Sequence, residues 1–112
     1  MKITDILTEL DLKIISGHKG LSNEITGGYV SDLLSDVIGN AKEGQVWITL
    51  QTHQNIIAVG SLKDISAIII VKGFVPETAT IEKSNIENIP LLSTELDTFN
   101  ITGRLFELLQ KE

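Results

Sequence analysis

The stretch Ala67-Ile68-Ile69-Ile70-Val71 is a run of five aliphatic residues with no polar side chain among them. Such a run is typical of a strand in a parallel sheet that is covered on both faces, because neither side of the strand then meets water. It is far shorter than the roughly 20 apolar residues that a membrane-spanning helix needs. The run therefore predicts a buried strand of an α/β domain.

Further strands and helices flank this run in the sequence. The segment 46–50 is rich in residues that favour strands, and 89–93 is a second, largely aliphatic segment. Helices are predicted over 54–62 and 77–88, between these strands, and over 95–110. The alternation of strands and helices with short connections predicts an α/β fold with a mostly parallel central sheet and helices on both faces.

The first half of the chain has weaker patterns. Lys13 to Ser16 is predicted as a short strand, and a helix is predicted to begin at Ser31 or Asp32 and to end at Gly39-Asn40. In the helices 77–88 and 95–110, the apolar side chains predicted to face inward are Ile81, Ile86, Leu96, Phe99, Leu105, Leu108 and Leu109.

The composition limits the class of protein. The chain has 112 residues, 15 acidic and 9 basic side chains, a formal net charge of −6 and no cysteine. This length predicts one domain, residues 1–112. The negative charge argues against a nucleic-acid partner, since no basic surplus is available for phosphates. Because the sequence has neither a signal-peptide core nor an apolar span, we expect a cytoplasmic protein with no membrane partner.

Polar residues follow the predicted strands at their carboxyl ends, where parallel α/β sheets usually bind ligands. Glycine lets a backbone approach a phosphate closely, and a lysine or histidine can contact an anion. On these grounds the candidate ligand-binding residues are Gly27, Gly28, Thr52, His53, Lys72, Gly73 and Thr94. The ligand expected for them is a nucleotide or another small anion.

Each of these residues also has a purely structural interpretation. Gly27-Gly28 lacks the lysine of a phosphate loop and suits a turn that requires glycine. His53 is suited to be a base, a ligand or the cap of the next helix, and Lys72 to be a solvated residue before a turn. Thr94 and Asp97 have the spacing of a helix capping box. The sequence is compatible with both interpretations.

No catalytic or metal-binding arrangement is evident in the sequence. The two histidines, His18 and His53, have no metal-ligand spacing, and no nucleophile pairs with a base. We therefore expect no enzymatic activity, no catalytic residues, no metal and no cofactor. Trp47 is expected in the core or at an interface, and Arg104 is expected to pair with a carboxylate or to reach a partner chain.

A family resemblance is carried by three longer motifs: ITGGYVSDLL at 25–34, AKEGQVWIT at 41–49 and STELDTF at 93–99. With these motifs the chain resembles a stand-alone DRTGG domain from about Lys2 to Leu109. The family is named after Asp-Arg and Thr-Gly-Gly positions. This chain has Thr52-His53 in place of the first and Val71-Lys72-Gly73 in place of the second.

The resemblance implies a fold similar to the N-terminal domains of HPr kinase and of Mur ligases. DRTGG domains also occur with CBS domains in regulatory pyrophosphatases and in phosphotransacetylases, where they are accessory, dimer-forming or regulatory modules. Together with the domain size and the lack of a catalytic arrangement, the resemblance favours a non-catalytic regulatory or interaction module that acts as a homodimer. We expect its interface near 27–34 and the strand of Trp47. The alternative hypothesis is a small-molecule sensor that binds a nucleotide or another anion at the strand ends.

Overall fold

Five strands and five α-helices make up the computed structural model, which describes all 112 residues. The strands are β1 (Lys13–Ser16), β2 (Gly27–Val30), β3 (Gln45–Thr49), β4 (Ala67–Ile70) and β5 (Leu91–Ser93). The helices are α1 (Ile3–Glu9), α2 (Leu34–Asn40), α3 (Asn55–Leu62), α4 (Thr78–Glu87) and α5 (Thr98–Gln110). A short 3₁₀ turn, His18–Gly20, follows β1.

The strands form one sheet in the order β1-β5-β4-β3-β2. The four strands β2 to β5 are parallel to one another, whereas β1 pairs antiparallel with β5. The aliphatic run that stands out in the sequence is the middle strand, β4. The predicted α/β class with a mostly parallel sheet is confirmed, and β1 and β2 are its two edge strands.

Both faces of the sheet are covered by helices, as predicted. Successive side chains of a strand point to opposite faces. From β4, Ala67 and Ile69 enter an apolar cluster that contains residues of α1 and α5. Ile68 and Ile70 enter a second cluster with residues of α2, α3 and α4. All four side chains are fully buried, which explains why β4 has no polar alternation.

Some predicted details of these elements are wrong. The helix predicted from Ser31 or Asp32 begins at Leu34. Ile86 and Phe99, predicted to face inward, are 74% and 85% exposed. In α4 the buried side chains are small and polar, namely those of Thr80 and Ser84. Helical periodicity identifies a stripe of residues, but it does not determine which of two stripes meets the sheet.

Candidate functional site

Five of the seven predicted ligand-binding residues lie at one edge of the sheet, where β3, β4 and β5 end. They are Thr52 and His53 after β3, Lys72 and Gly73 after β4, and Thr94 after β5. Backbone hydrogen bonds join these segments, because Lys72 N donates to Leu96 O at 2.9 Å and Gly73 N donates to Thr94 O at 2.9 Å. We call this edge, formed by residues 31–32, 50–53, 71–73 and 94–97, the carboxyl edge.

The other two residues, Gly27 and Gly28, lie at the opposite end of the strands. They begin β2 and pair with Gln45 and Val46 at the beginning of β3. Gly27 and Gly28 are therefore part of a strand, and the interpretation of this pair as a turn is wrong. A Cβ added to Gly28 would lie 3.5 Å from Leu105 Cδ2, which is an ordinary contact distance, so Gly28 faces α5. The structure does not bring this pair together with the carboxyl edge.

Several polar groups of the carboxyl edge are engaged within the chain. His53 Nδ1 accepts a hydrogen bond from Asn55 N at 3.1 Å, at the first residue of α3. The carbonyl oxygen of Thr52 accepts from Thr80 Oγ1 at 2.7 Å. Thr94 Oγ1 accepts from Leu96 N at 3.1 Å. In this arrangement His53 contacts the start of α3, as in the capping interpretation, and its other nitrogen makes no hydrogen bond within the chain.

Lys72 and Gly73 form a left-handed turn after β4. Their φ angles are +60° and +65°, a region that costs a residue with a side chain about 1–2 kcal/mol. Glycine would therefore suit the backbone at position 72 better than this lysine does. The Glu95 side chain lies directly against Gly73. Lys72 is exposed and forms no ion pair.

Asp32 is a carboxyl-edge residue that the sequence did not reveal as part of the site. Its Oδ1 accepts from Thr49 Oγ1 at 2.9 Å and from Leu50 N at 2.7 Å. Its carbonyl oxygen accepts from Gln51 Nε2 at 2.8 Å. Asp32 thus ties the end of β2 to the end of β3. The sequence predicts a helix start at Ser31 or Asp32, whereas α2 begins at Leu34. The role of Asp32 becomes visible only once β2 is paired with β3.

We expect Asp32→Ala to lower the free energy of unfolding by about 1.5–3 kcal/mol, because two donors lose a charged acceptor and the buried Thr49 hydroxyl loses its partner. Asp32→Asn keeps an acceptor oxygen in place and should lose less than half as much. Urea denaturation followed by circular dichroism measures both. Equal losses for the two variants would contradict the role given to the acceptor geometry.

Carboxylates outnumber cations at the carboxyl edge. Asp32, Glu95 and Asp97 are all exposed there, beside the single cation Lys72. The pKa of Asp97 is lowered mainly by hydrogen bonds from the backbone and side chain of Asn100, with a smaller contribution from the charge of Lys72. Asp97 caps α5, accepting from Asn100 N at 2.8 Å. An anion bound here would have to lie close to Lys72 and away from these carboxylates.

A small polar pocket of about 150 Å³ adjoins this edge between β1, β5 and α5. Lys13, Thr94, Glu95 and Arg104 are among the residues that line it. Arg104, the only arginine, forms no ion pair within the chain, so the pairing predicted for it with a carboxylate is absent. Of the predicted ligand residues, Thr94 alone lines this pocket.

The outer face of α5 carries an exposed apolar surface. Phe99 and Phe106 are 85% and 65% exposed, and Thr102 and Gly103 lie between them. We call these four residues the α5 stripe. It adjoins Val30 at the free edge of β2, and a groove of about 90 Å³ lies between β2 and α5. The core-facing stripe of the same helix is separate and contains Ile101 and Leu105.

Trp47, expected in the core or at an interface, is fully buried in the interior strand β3. Its Nε1 donates to Ser31 O at 2.8 Å. Of the two places expected for Trp47, the core is therefore the correct one. The Trp47 side chain is not available for the interface that was expected at its strand. The edge strand β2, in contrast, is open on one side.

The Tyr29 hydroxyl connects β2 to α2. It donates to Asp36 Oδ2 at 2.8 Å. Hydrogen bonds from Ser31, Tyr29 and Asn40 lower the pKa of Asp36 below 3.8. The same contact with the Asp36 carboxylate raises the pKa of Tyr29 above 10.0. The hydrogen bond between Tyr29 and Asp36 therefore contributes fully to stability at neutral pH. This contribution is lost in acid, when Asp36 is protonated, and in alkali, when Tyr29 ionises.

Tyrosinate absorbance measures this contact directly, because Tyr29 is the only tyrosine. We expect the folded chain to ionise at a higher pH than the same chain unfolded in urea. The Tyr29 contribution to stability should be complete at neutral pH and should disappear as the pH rises above about 10 and through the folded pKa. In Asp36→Asn the folded midpoint should return toward 10.0. A folded midpoint equal to the unfolded one would disprove the contact.

Neither a metal site nor a membrane span is found in the structure. No group of three or more His, Asp or Glu side chains could hold a metal ion. None of the helices combines the length and the apolar character needed to cross a bilayer.

The fold and the site define a three-layer α/β domain with a polar carboxyl edge and an exposed apolar helix face. A model of the DRTGG domain matches residues 5–108. The chain belongs to the DRTGG domain family, and the family resemblance of the sequence is confirmed. The finer likeness to the HPr kinase and Mur ligase domains stays a prediction. No curated protein sequence matches the chain with statistical significance.

Among solved structures, the chain is similar to the CBS and DRTGG domains of the regulatory region of Clostridium perfringens pyrophosphatase, complexed with the activator diadenosine tetraphosphate. The TM-score is 0.73 at 20% sequence identity. The match covers 94% of this chain and 45% of that chain, so this chain spans less than half of the regulatory region. At this identity the likeness establishes the fold.

Proposed function

We propose that this chain is a non-catalytic regulatory module that acts through protein–protein contact as a homodimer. Its family and its likeness to part of a regulatory region support the regulatory role. The observation that carries the interaction role is the α5 stripe, whose two phenylalanines are exposed beside the free edge of β2. Contiguous apolar surface and an unpaired strand edge are both features that favour association.

The expected interface near residues 27–34 is consistent with this surface. This segment contains β2, which has a neighbour on one side only. Val30 and Leu33 in the segment are 43% and 64% exposed. Much of both apolar side chains is therefore open to solvent. We therefore place the proposed homodimer contact on the side of the molecule that carries β2 and α5.

Light scattering over a concentration series tests the homodimer. We expect the average mass to rise from near 12.2 kDa toward twice that value as the protein concentration reaches the micromolar range. The same measurement in high salt should give at least as much dimer, because salt screens the repulsion between two acidic chains. A mass that stays at one chain under all conditions would contradict the proposal.

A second candidate function is a sensor for a nucleotide or another small anion at the carboxyl edge. It is favoured by the proximity of Thr52, His53, Lys72, Gly73 and Thr94 and by the nucleotide activator in the complex of the similar regulatory region. Gly27 and Gly28 are too far along the strands to belong to the same ligand contact. The proposed contact is therefore reduced to the five residues that share an edge.

Thermal denaturation with adenine nucleotides, diadenosine tetraphosphate and inorganic phosphate tests this candidate. A ligand at one hundred times its dissociation constant should stabilise the fold by about 2.7 kcal/mol. We expect Lys72→Ala and Lys72→Gly to reduce that stabilisation equally, because both remove the ammonium group. Lys72→Gly alone should unfold at a higher temperature without ligand, since glycine suits the positive φ. Unchanged melting with every ligand would contradict the sensor.

A further inference from the structure

We propose that two copies of this chain meet through α5, packed antiparallel about a two-fold axis that passes between Thr102 and Gly103. This inference rests on the proposed function, which requires a homodimer, and it adds the surface and the register of the contact. Three features of the α5 stripe carry it: the spacing of its residues, its glycine and its lack of charge.

The α5 stripe has the same spacing when it is read from either end, with a phenylalanine at each end and two small residues in the middle. Phe99 and Phe106 lie three and a half residues before and after the midpoint between Thr102 and Gly103, which is close to one helical turn in each direction. An antiparallel second copy therefore places Phe99 against Phe106 of the partner subunit. Such self-complementarity is what a two-fold interface requires, whereas an unrelated partner would impose no symmetry on the stripe.

Gly103 has no explanation within the chain. It lies in the interior of α5, where glycine destabilises a helix relative to alanine. A Cβ at this position would meet no atom within 4 Å, and its φ is not positive. The missing side chain instead allows the backbone of a second helix to approach α5 closely.

Thr102, the neighbour of Gly103, has an unsatisfied hydroxyl. Its Oγ1 is removed from water and has no hydrogen-bond partner in the chain. Buried hydroxyls of this kind are uncommon, because the loss of water is normally compensated by a hydrogen bond. Because water cannot reach Thr102 Oγ1 in the single chain, a second copy cannot reach it either unless the side chain rotates, so this hydroxyl is not one of the features that support the contact.

The α5 stripe contains no charged residue, although the chain has a net charge of −6. It is therefore a surface on which two acidic copies can approach each other without bringing like charges into contact. With exposures of 85% and 65%, the two rings offer about 300 Å² per copy at about 200 Å² per ring. A standard interface buries about 800 Å² per partner, so Val30 and the edge of β2 must contribute. We expect a reversible dimer and not a permanent one.

Disulfide cross-linking tests the register, because the chain has no cysteine of its own. Thr102→Cys keeps both phenylalanines and lies beside the axis, so most of this variant should become a covalent dimer on mild oxidation. Phe99→Cys alone should stay below about a tenth cross-linked, because antiparallel packing separates the two copies of residue 99 by about 10.5 Å along the axis, beyond the reach of a disulfide. An equal mixture of Phe99→Cys and Phe106→Cys should cross-link several times more than either alone.

Two controls decide between the outcomes. The first control is Val75→Cys, which gives the level of collisional cross-linking, because Val75 is 80% exposed and lies outside the α5 stripe. The second is light scattering of the unsubstituted chain, which gives its mass in solution. A dimeric mass with no cross-linking of Thr102→Cys above the Val75→Cys level overturns the α5 contact but leaves the proposed homodimer intact. Phe99→Cys cross-linking as well as the mixture overturns the register. A monomeric mass at every concentration overturns both proposals.

Discussion

Gly17→Ala is expected to lower the free energy of unfolding by about 3 kcal/mol or more. Gly17 follows β1 with φ +74°, and a side chain in this region costs about 1–2 kcal/mol. An added Cβ would also lie 2.1 Å from Ile89 O and 2.8 Å from Pro90 Cα. These are backbone atoms of the segment that leads into β5, so they cannot rotate away, and overpacking of this kind adds about 1–3 kcal/mol.

The clash at Gly17 should also weaken the link between β1 and α4. Gly17 N donates to Asn85 Oδ1 at 2.8 Å, and movement of the backbone to relieve the clash would break this bond. The matched control is Gly27→Ala, where the added Cβ would have only Gln45 Nε2 nearby, at 3.9 Å. Urea denaturation should place Gly27→Ala within about 0.5 kcal/mol of the unsubstituted chain. A large loss at Gly27, or a small one at Gly17, would contradict these backbone assignments.

Trp47→Ala is expected to lower the free energy of unfolding by about 3–5 kcal/mol, the usual cost of deleting a large buried aromatic side chain. Trp47 is completely buried in the cluster between the sheet and helices α2, α3 and α4. The deletion leaves a cavity and also removes the hydrogen bond from Nε1 to Ser31 O. A variant of this kind should be partly unfolded at moderate temperature.

Trp47→Phe separates the two contributions. Phenylalanine keeps much of the apolar volume but has no N–H donor, so we expect a loss of about 1–2 kcal/mol. Far-ultraviolet circular dichroism must report the unfolding, since Trp47 is the only tryptophan. If Trp47→Ala were as stable as the unsubstituted chain, Trp47 would have to be exposed, and an interface role for its strand would have to be reconsidered.

The layered architecture could be predicted from the sequence because strands buried on both faces have a simple signature. β4 is an uninterrupted aliphatic run, and the segments before and after it have helical spacing. β2 was missed because Gly27 and Gly28 open it and because it is only half-buried at the edge of the sheet. Glycine pairs are more often turns than strands, and only the neighbouring β3 makes this pair a strand.

The site could be predicted only in part because it depends on which strand ends become neighbours. The rule that parallel strands end at one edge correctly groups Lys72 and Gly73 with the residues after β3 and β5. It could not include Asp32, whose partners Thr49 and Leu50 become neighbours only when β2 pairs with β3. Similarly, Phe99 has the spacing of a core residue, but α5 meets the sheet through Ile101 and Leu105.

Sedimentation velocity of the unsubstituted chain beside Gly103→Leu tests most directly whether this module associates through α5. Gly39→Leu is the matched control, because Gly39 is also a helical glycine with no atom within 4 Å of its would-be Cβ and lies in α2. We predict dimers for the unsubstituted chain and Gly39→Leu at micromolar concentration, and a folded monomer for Gly103→Leu. A monomeric unsubstituted chain, or a Gly103→Leu variant that dimerises as tightly as the unsubstituted chain, would contradict association through α5.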